Sequence, residues 1–338
     1  MTSAPDLRPP SRPIKAAARF AKWQGRLAEL AILCGIVLIF SVINPSNFPT
    51  VSNFNTILNN AAIPAILGVG ASFVVLTGRI DLSIEGVMGA AGMTFVLLSA
   101  NSRETMDLGW LALPIALALG AALGALTGAI HVVAKVPSFI VSLGMWYIGL
   151  GVAAMLFGYE MIPFLSNEAA VAWPTQTPLG VPNSFLVALL VVAAGWAIER
   201  YTRLGRFAYA IGNNEGVARL TGIAVGRYVV ALFALAGVCS ALAGVMGSLA
   251  LGAGAANVGI GMLFLTLAAI VIGGTPLSGG KGGVLRTLVG VLILSTLYNG
   301  LILSGVDPSI QSGVSGLVLV AAVIVAGWPH RNRLKVFK

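Results

Sequence analysis

The segment Gly273–Gly283 reads "GGTPLSGGKGG", and its placement decides the class of the protein. A glycine-rich run with a lysine near its end suits a phosphate-binding loop. It suits equally a sharp turn between packed helices. The strict phosphate loop is G-x-x-x-x-G-K-[ST]. Gly280 and Lys281 occupy its middle, but Thr275 stands where the first glycine belongs. Gly282 stands where a hydroxyl would hold magnesium. The preceding "LTLAAIVI" reads either as a strand or as part of a longer apolar segment, so the surroundings must decide.

Composition narrows the choice. The chain has 338 residues, of which 57% are hydrophobic and 9% charged, with a mean hydropathy of +0.94. Soluble domains carry about 25% charged residues. A water-soluble fold of this size cannot hide so much apolar surface, which leaves an all-α integral membrane protein. Cys34 and Cys239 both lie in apolar segments and read as small buried hydrophobes, not a disulfide framework. His131 and His330 give no metal cluster, so no metal ligands are expected. The net charge of +9 does not point to nucleic acid, because the basic residues sit in short segments between apolar runs.

A span needs about 20 apolar residues. Ten candidates are legible: roughly 28–43, 57–76, 83–100, 111–133, 138–158, 183–198, 228–250, 263–274, 284–303 and 311–328. The first, sixth and eighth are short and read as broken or re-entrant helices. Starting inside, this count puts every one of the 20 basic residues except Arg103 on the cytoplasmic side. Adding or removing one span destroys that asymmetry. Both termini are therefore expected in the cytoplasm: a basic segment 1–27, a transmembrane domain 28–328 with a polar loop 199–227, and a tail 329–338. The first apolar run lacks a small-residue cleavage site and reads as an uncleaved span.

Small residues recur every four positions at Gly120, Gly124 and Gly128, and again at Ala236, Ser240, Gly244, Ser248 and Gly252. Such stripes let helices approach closely. Two polar interruptions stand out. In "NNEGVARLTG", Asn213 or Asn214 can cap a short helix, Glu215 favours its first turn and Gly222 can end it. A helix of that length is not stable alone in water and needs a support. In "LTGRIDLSIEG", Asp81 and Ser83 can cap the helix beginning near Ile84, and Arg79 is expected to pair with Asp81 or Glu85. A gate or part of the permeation route is the other reading of this stretch.

"VLTGRIDLS" from Val75 and "VIGGTPLS" from Val271 share two apolar residues, a glycine-containing turn and a Leu-Ser pair before a new helix. That pattern fits a parallel internal repeat. It makes Gly273, Gly274, Gly279, Gly280 and Lys281 a structural turn at the cytoplasmic end of the eighth span.

The segments "GRIDLSIEGVMGAAGM", "TRLGRFAYAIGNNEGVARLTGI", "VIGGTPLSGGKGGVLRTLVG" and "LYNGL" together resemble the permease subunits of bacterial ribose/xylose/galactose-type ABC sugar importers. The likeness runs from about Asn47 to Trp328. It implies a chain in the bacterial inner membrane, among membrane lipids, that pairs with a second permease copy. It further implies a separate ATPase that binds Mg-ATP and a periplasmic binding protein that delivers a monosaccharide or polyol. No cofactor is then expected on this chain. The family's coupling helix falls on Gly212, Asn213, Asn214, Glu215, Ala218, Arg219, Leu220, Thr221 and Gly222. Glu215 and Arg219 are expected to make polar contacts with the ATPase, and Ala218 and Leu220 to pack on it.

The chain departs from that pattern at Arg79 and Glu85, where the family commonly has uncharged residues. It also departs at "GIGMLFLTLAAI", which lacks the acids often found before the eighth span. Gate or path candidates are Arg79, Asp81, Ser83, Glu85, Asn59, Asn60, Asn257, Thr266 and Asn299. Two other classes compete. An ion-driven secondary transporter would need Asp81, Glu85 or Asp307 as the coupling carboxylate. An intramembrane enzyme would need nucleophile–base sets or paired aspartates, which the sequence does not offer.

Overall fold

The computed structural model describes residues 15–159, 161–307, 310, 313, 314, 316, 317 and 320. These residues are helical or in connections, and among them β-pairing is confined to the isolated bridges Asn101–Leu165 and Phe164–Ala253. The helices are α1 (Lys15–Ile43), α2 (Val51–Leu76), α3 (Ile84–Leu98), α4 (Ala112–Ala134), α5 (Ser138–Phe157), α6 (Glu168–Ala172), α7 (Asn183–Tyr201), α8 (Arg203–Asn213), α9 (Glu215–Leu220), α10 (Val225–Leu251), α11 (Met262–Ile272) and α12 (Val284–Leu303).

Among the described residues, six segments are long and apolar enough to cross a membrane: α2, α4 with its preceding turn, α5, α7, α10 and α12. Of the segments expected to be short, the sixth is a full helix of 19 residues. The third is cut back instead, because α3 has 15 residues. The span expected at 311–328 lies almost wholly outside the described residues, as do segments 1–14 and 329–338.

The bundle is arranged around α10, with α4, α3 and α2 packed along it; α2 in turn carries α12, α7 and α11. Phe73, Ile66, Leu76, Met88, Leu232 and Leu263 are among its fully buried side chains. The outer helices are apolar where they are uncovered: Leu126 and Val133 on α4, and Tyr147 and Met155 on α5, are exposed. An apolar exterior over an interior lined with small and polar residues is what a lipid-embedded bundle presents.

Glycine sets the close approaches. A Cβ at Gly124 would strike the Phe233 carbonyl, and one at Gly237 would strike the Gly120 carbonyl. The Gly120/Gly124/Gly128 stripe of α4 therefore docks on Gly237 and Phe233 of α10. The α10 stripe serves other neighbours. Ala236 faces Gly70 of α2, while Gly244 and Ser248 face Gly92 of α3. Gly237, outside the four-residue series, makes the tightest glycine contact of α10.

Two helices stop inside the bundle. At about 1.5 Å per residue, α11 with its 11 residues is roughly half a span. The segment 252–261 before it is irregular and packs against α3, where Gly259 lies beside Met88 and Glu85. Non-helical backbone at such depth is tolerated when protein covers it. The N-terminus of α11 is satisfied by Glu85, whose Oε1 accepts from Leu263 N at 2.8 Å. A carboxylate at a helix N-terminus meets both unpaired N–H groups and the positive end of the dipole. At the opposite end of the bundle Arg103 donates to Phe157 O at 2.6 Å and Leu156 O at 2.9 Å. The one basic residue outside the charge asymmetry thus caps the C-terminus of α5.

The α4–α10 contact generates a prediction. Gly124→Val should destabilise the solubilised protein by about 1–3 kcal/mol through overpacking, read as a lower Tm and a loss of monodisperse material. Gly35→Ala on α1, where a Cβ meets nothing within 4 Å, should leave both unchanged.

Candidate functional site

The segments singled out in the sequence converge at one end of the bundle. The turn after α2 and the loop after α11 touch: Gly280 N donates to Leu76 O at 2.9 Å, and a Cβ on Gly78 would meet Ser278 O at 3.1 Å. The two similar stretches are therefore spatial neighbours. α8 closes over them. Its Asn213 Nδ2 donates to Gly280 O at 3.3 Å, and a Cβ on Gly212 would collide with Leu76 O and Gly280 N. Gly274, Gly279, Gly280, Gly282 and Gly283 all have positive φ, which only glycine adopts at little cost.

Four amides of this loop and of the helix start after it have internal acceptors. Gly279 N donates to Pro276 O and Gly280 N to Leu76 O. Gly283 N donates to Thr275 Oγ1 at 3.1 Å and Val284 N to Glu199 Oε2 at 2.8 Å. Lys281 points to the exterior. Glu199 Oε1 also lies 2.8 Å from Tyr209 OH, which is 2.9 Å from Gly282 O. Burial, and then the carboxylate beside it, push the Tyr209 hydroxyl well above the usual phenol range. Glu199 and Tyr209 pin the loop to α7 and α8, although nothing in their sequence spacing announces it.

The polar loop also holds α8, which no apolar run in the sequence announces. Thr202 caps it, and Gly205, Ala208 and Ile211 form its buried face. α9 follows as expected, with Asn214 accepting from Val217 N at 3.1 Å and Gly222 at φ +81° after its end. Its support is the bundle. Ala218 is buried against Val225, Val229 and Phe233, so the expectation that Ala218 packs on a partner is corrected. Val217 and Leu220 are exposed.

Arg79 pairs with neither Asp81 nor Glu85. Its Nη2 lies 2.8 Å from Glu215 Oε2 on α9, and its Nε donates to His131 Nε2 at 2.8 Å. Both nearer acids have other partners. Asp81 Oδ1 accepts from Ser83 N at 2.9 Å and Ser83 Oγ at 2.6 Å, and Glu85 caps α11. Ser83 occupies the N-cap position of α3 without a side-chain cap bond of its own. Glu215 Oε1 takes Arg219 Nη2 at 2.6 Å. Burial alone would raise the Glu215 carboxyl, but Arg219 and Arg79 outweigh it and hold it below the usual carboxylate range.

The remaining path candidates are not brought into one site. Asn59 Oδ1 accepts from Ser184 Oγ at 2.6 Å, joining α2 to α7. Asn60 and Asn257 are exposed. Thr266 Oγ1 and Asn299 Oδ1 are buried without a hydrogen-bond partner among the described residues. His131 was missed because a lone histidine in an apolar span carries no pattern. No cluster of three His, Cys, Asp or Glu able to hold a metal occurs among the described residues.

A group with a lowered folded pKa contributes stability that is complete above its unfolded value and is lost as pH falls through the folded one. The stability Glu215 supplies should therefore be intact above its ordinary value of 4.5. Glu215→Gln should lower the Tm of the solubilised protein at neutral pH, and the gap should close as the pH is taken below that value.

Residues 53–323 match the family described as branched-chain amino acid transport system / permease component. Ribose import permease protein RbsC of Escherichia coli (strain K12) is 36% identical over 309 residues, 90% of this chain and 94% of that one. Galactofuranose transporter permease protein YtfT of the same organism is 31% identical, covering 96% and 94%. D-allose transport system permease protein AlsC, also from that organism, is 30% identical, covering 91% and 94%. No solved structure matches the chain. With most of its length inside the family pattern and relatives of this identity along nearly all of it, the chain belongs to the family of branched-chain-type transport-system permease components.

Proposed function

We propose that this chain is the membrane-spanning subunit of a binding-protein-dependent ABC importer for a monosaccharide or related polyol. The observation that carries the reading is its similarity, over about nine-tenths of its length, to permeases named for ribose, galactofuranose and allose. In this reading the chain crosses the bacterial inner membrane ten times, with both termini in the cytoplasm. The domain lies at 28–328, and two copies enclose the pathway. Mg-ATP is bound and hydrolysed by a separate ATPase, and a periplasmic protein delivers the solute.

The cytoplasmic end is then the cluster of α8, α9 and the two glycine turns. Support comes from the clustering of Arg79, Arg219 and Lys281 with that end, in the sense of the positive-inside rule. α9 is the element offered to the ATPase. It is held from beneath by Ala218 and Glu215 and presents Val217, Leu220 and Arg219 outward. Asp81 and Glu85 hold backbone amides, which leaves them poorly disposed as ion-coupling carboxylates.

Two measurements test the reading. Purified in mild detergent, the chain should bring down an ABC ATPase, and alone it should hydrolyse no ATP. Proteoliposomes with the ATPase should take up a labelled sugar or polyol only when the binding protein and ATP are both supplied. Uptake by the chain alone under a proton gradient would overturn the proposal. A cysteine at 214 that reacts with an impermeant reagent from outside intact cells would overturn the topology.

A further inference from the structure

We propose that Arg79 is a positioning residue that carries displacement of α9 into the interior of the membrane domain. The proposal rests on reading α9 as the element the ATPase grips. The Arg79 side chain is 11% exposed and donates into three segments. Nη2 reaches Glu215 on α9 at 2.8 Å, Nε reaches His131 near the end of α4 at 2.8 Å, and Nη1 reaches Thr77 O in its own turn at 3.2 Å.

The geometry leaves little slack. An arginine Nε always carries its proton, so His131 Nε2 is the acceptor. The ring proton is then on Nδ1, which donates to Val136 O at 2.6 Å in the α4–α5 connection. The imidazole is thereby held at both nitrogens and braces the guanidinium. A lysine has the charge but not the planar fork, and one ammonium cannot reproduce these three directions.

Beyond Arg79 the chain is tied at nearly every step. Ile80 N donates to Ser138 Oγ at 3.2 Å on α5. Asp81 locks Ser83. Glu85, one residue into α3, holds the N-terminus of the half-span α11. A push on Glu215 therefore reaches the mid-bundle end of α11 through one side chain and the short stretch Arg79–Glu85. Neighbouring Gly78 is in turn packed on the loop that leaves α11 at its other end. Both ends of α11 thus report to the turn that carries Arg79.

A contiguous path is a structural warrant, and coupling has to be measured. The complex with the ATPase would be reconstituted in nanodiscs, with Cys34→Ser and an environment-sensitive fluorophore on Ile260→Cys, an exposed position just before α11. In the otherwise unaltered chain, trapping with ATP and vanadate should change the fluorescence. Arg79→Met should retain the ATPase and its hydrolysis of ATP, while the fluorescence change falls by about fivefold. Arg79→Lys, which preserves the charge, should lower it by about twofold or more. Combining Arg79→Met with Glu215→Gln should be no worse than Arg79→Met alone, because both break one link.

A full response in Arg79→Lys or Arg79→Met, or additive losses in the double variant, would overturn the role of Arg79. A Leu220→Cys crosslink to the ATPase monitors the underlying reading separately. If it fails to form in the unaltered background, α9 is not the gripped element, and the role of Arg79 falls with it.

Discussion

A backbone amide inside an apolar slab has no water to bond with, so every helix that stops within the bundle must find its partners in the protein. That constraint is most acute at the N-terminus of α11. The helix is too short to begin at the bilayer surface; at its start Met262 N donates to Gly259 O and Leu263 N to the Glu85 carboxylate from α3. Glu85 is buried and would be costly there as an isolated charge; the helix terminus compensates it. The two shortened helices are thus mutually dependent, and the irregular segment 252–261 survives at depth because α3 covers it.

Close packing between helices shapes the glycine-rich loop at the polar end of the bundle. Between α11 and α12 the chain reverses with five glycines at positive φ. Its amides then bond to Leu76 O, Thr275 Oγ1 and Glu199 Oε2. Glycine is needed twice over, for the turn itself and for the contact with Gly78 and Gly212, where a Cβ has no room. A loop so closely bonded to α2, α7 and α8 acts as a joint. Arg79, His131 and Glu215 stand at its edge, where the polar end of the bundle meets α9.

Much of this was legible in the residues. The apolar runs located the long helices, the charge asymmetry grouped the segments that converge at one end, and Asn214 and Gly222 marked the ends of α9. The glycine repeat of α4 correctly announced a close helix contact. What failed were pairings across long sequence distance. Arg79 sits beside Asp81 and near Glu85 in the chain, yet its partners are His131 and Glu215. Local proximity favoured the wrong acids because Asp81 and Glu85 were needed by backbone amides of α3 and α11. Gly237 lies outside any repeat, because the regular series in α10 runs through Ala236, one position away and on a different face.

Composition and the spacing of apolar, basic and small residues determined by themselves that this chain is a helical membrane bundle and that the turns holding Arg79 and Lys281 belong with the polar loop 199–227. Those properties follow from the free energy of placing each residue in lipid or water, which is additive along the chain. Tertiary structure alone decided that Glu85 belongs to α11, that Ala218 faces inward and that Arg79 joins α9 to α4. Which buried polar group satisfies which depends on where helices cross. Crossing points are set by backbone approach at glycines such as Gly86, Gly92 and Gly237, and no local pattern encodes them.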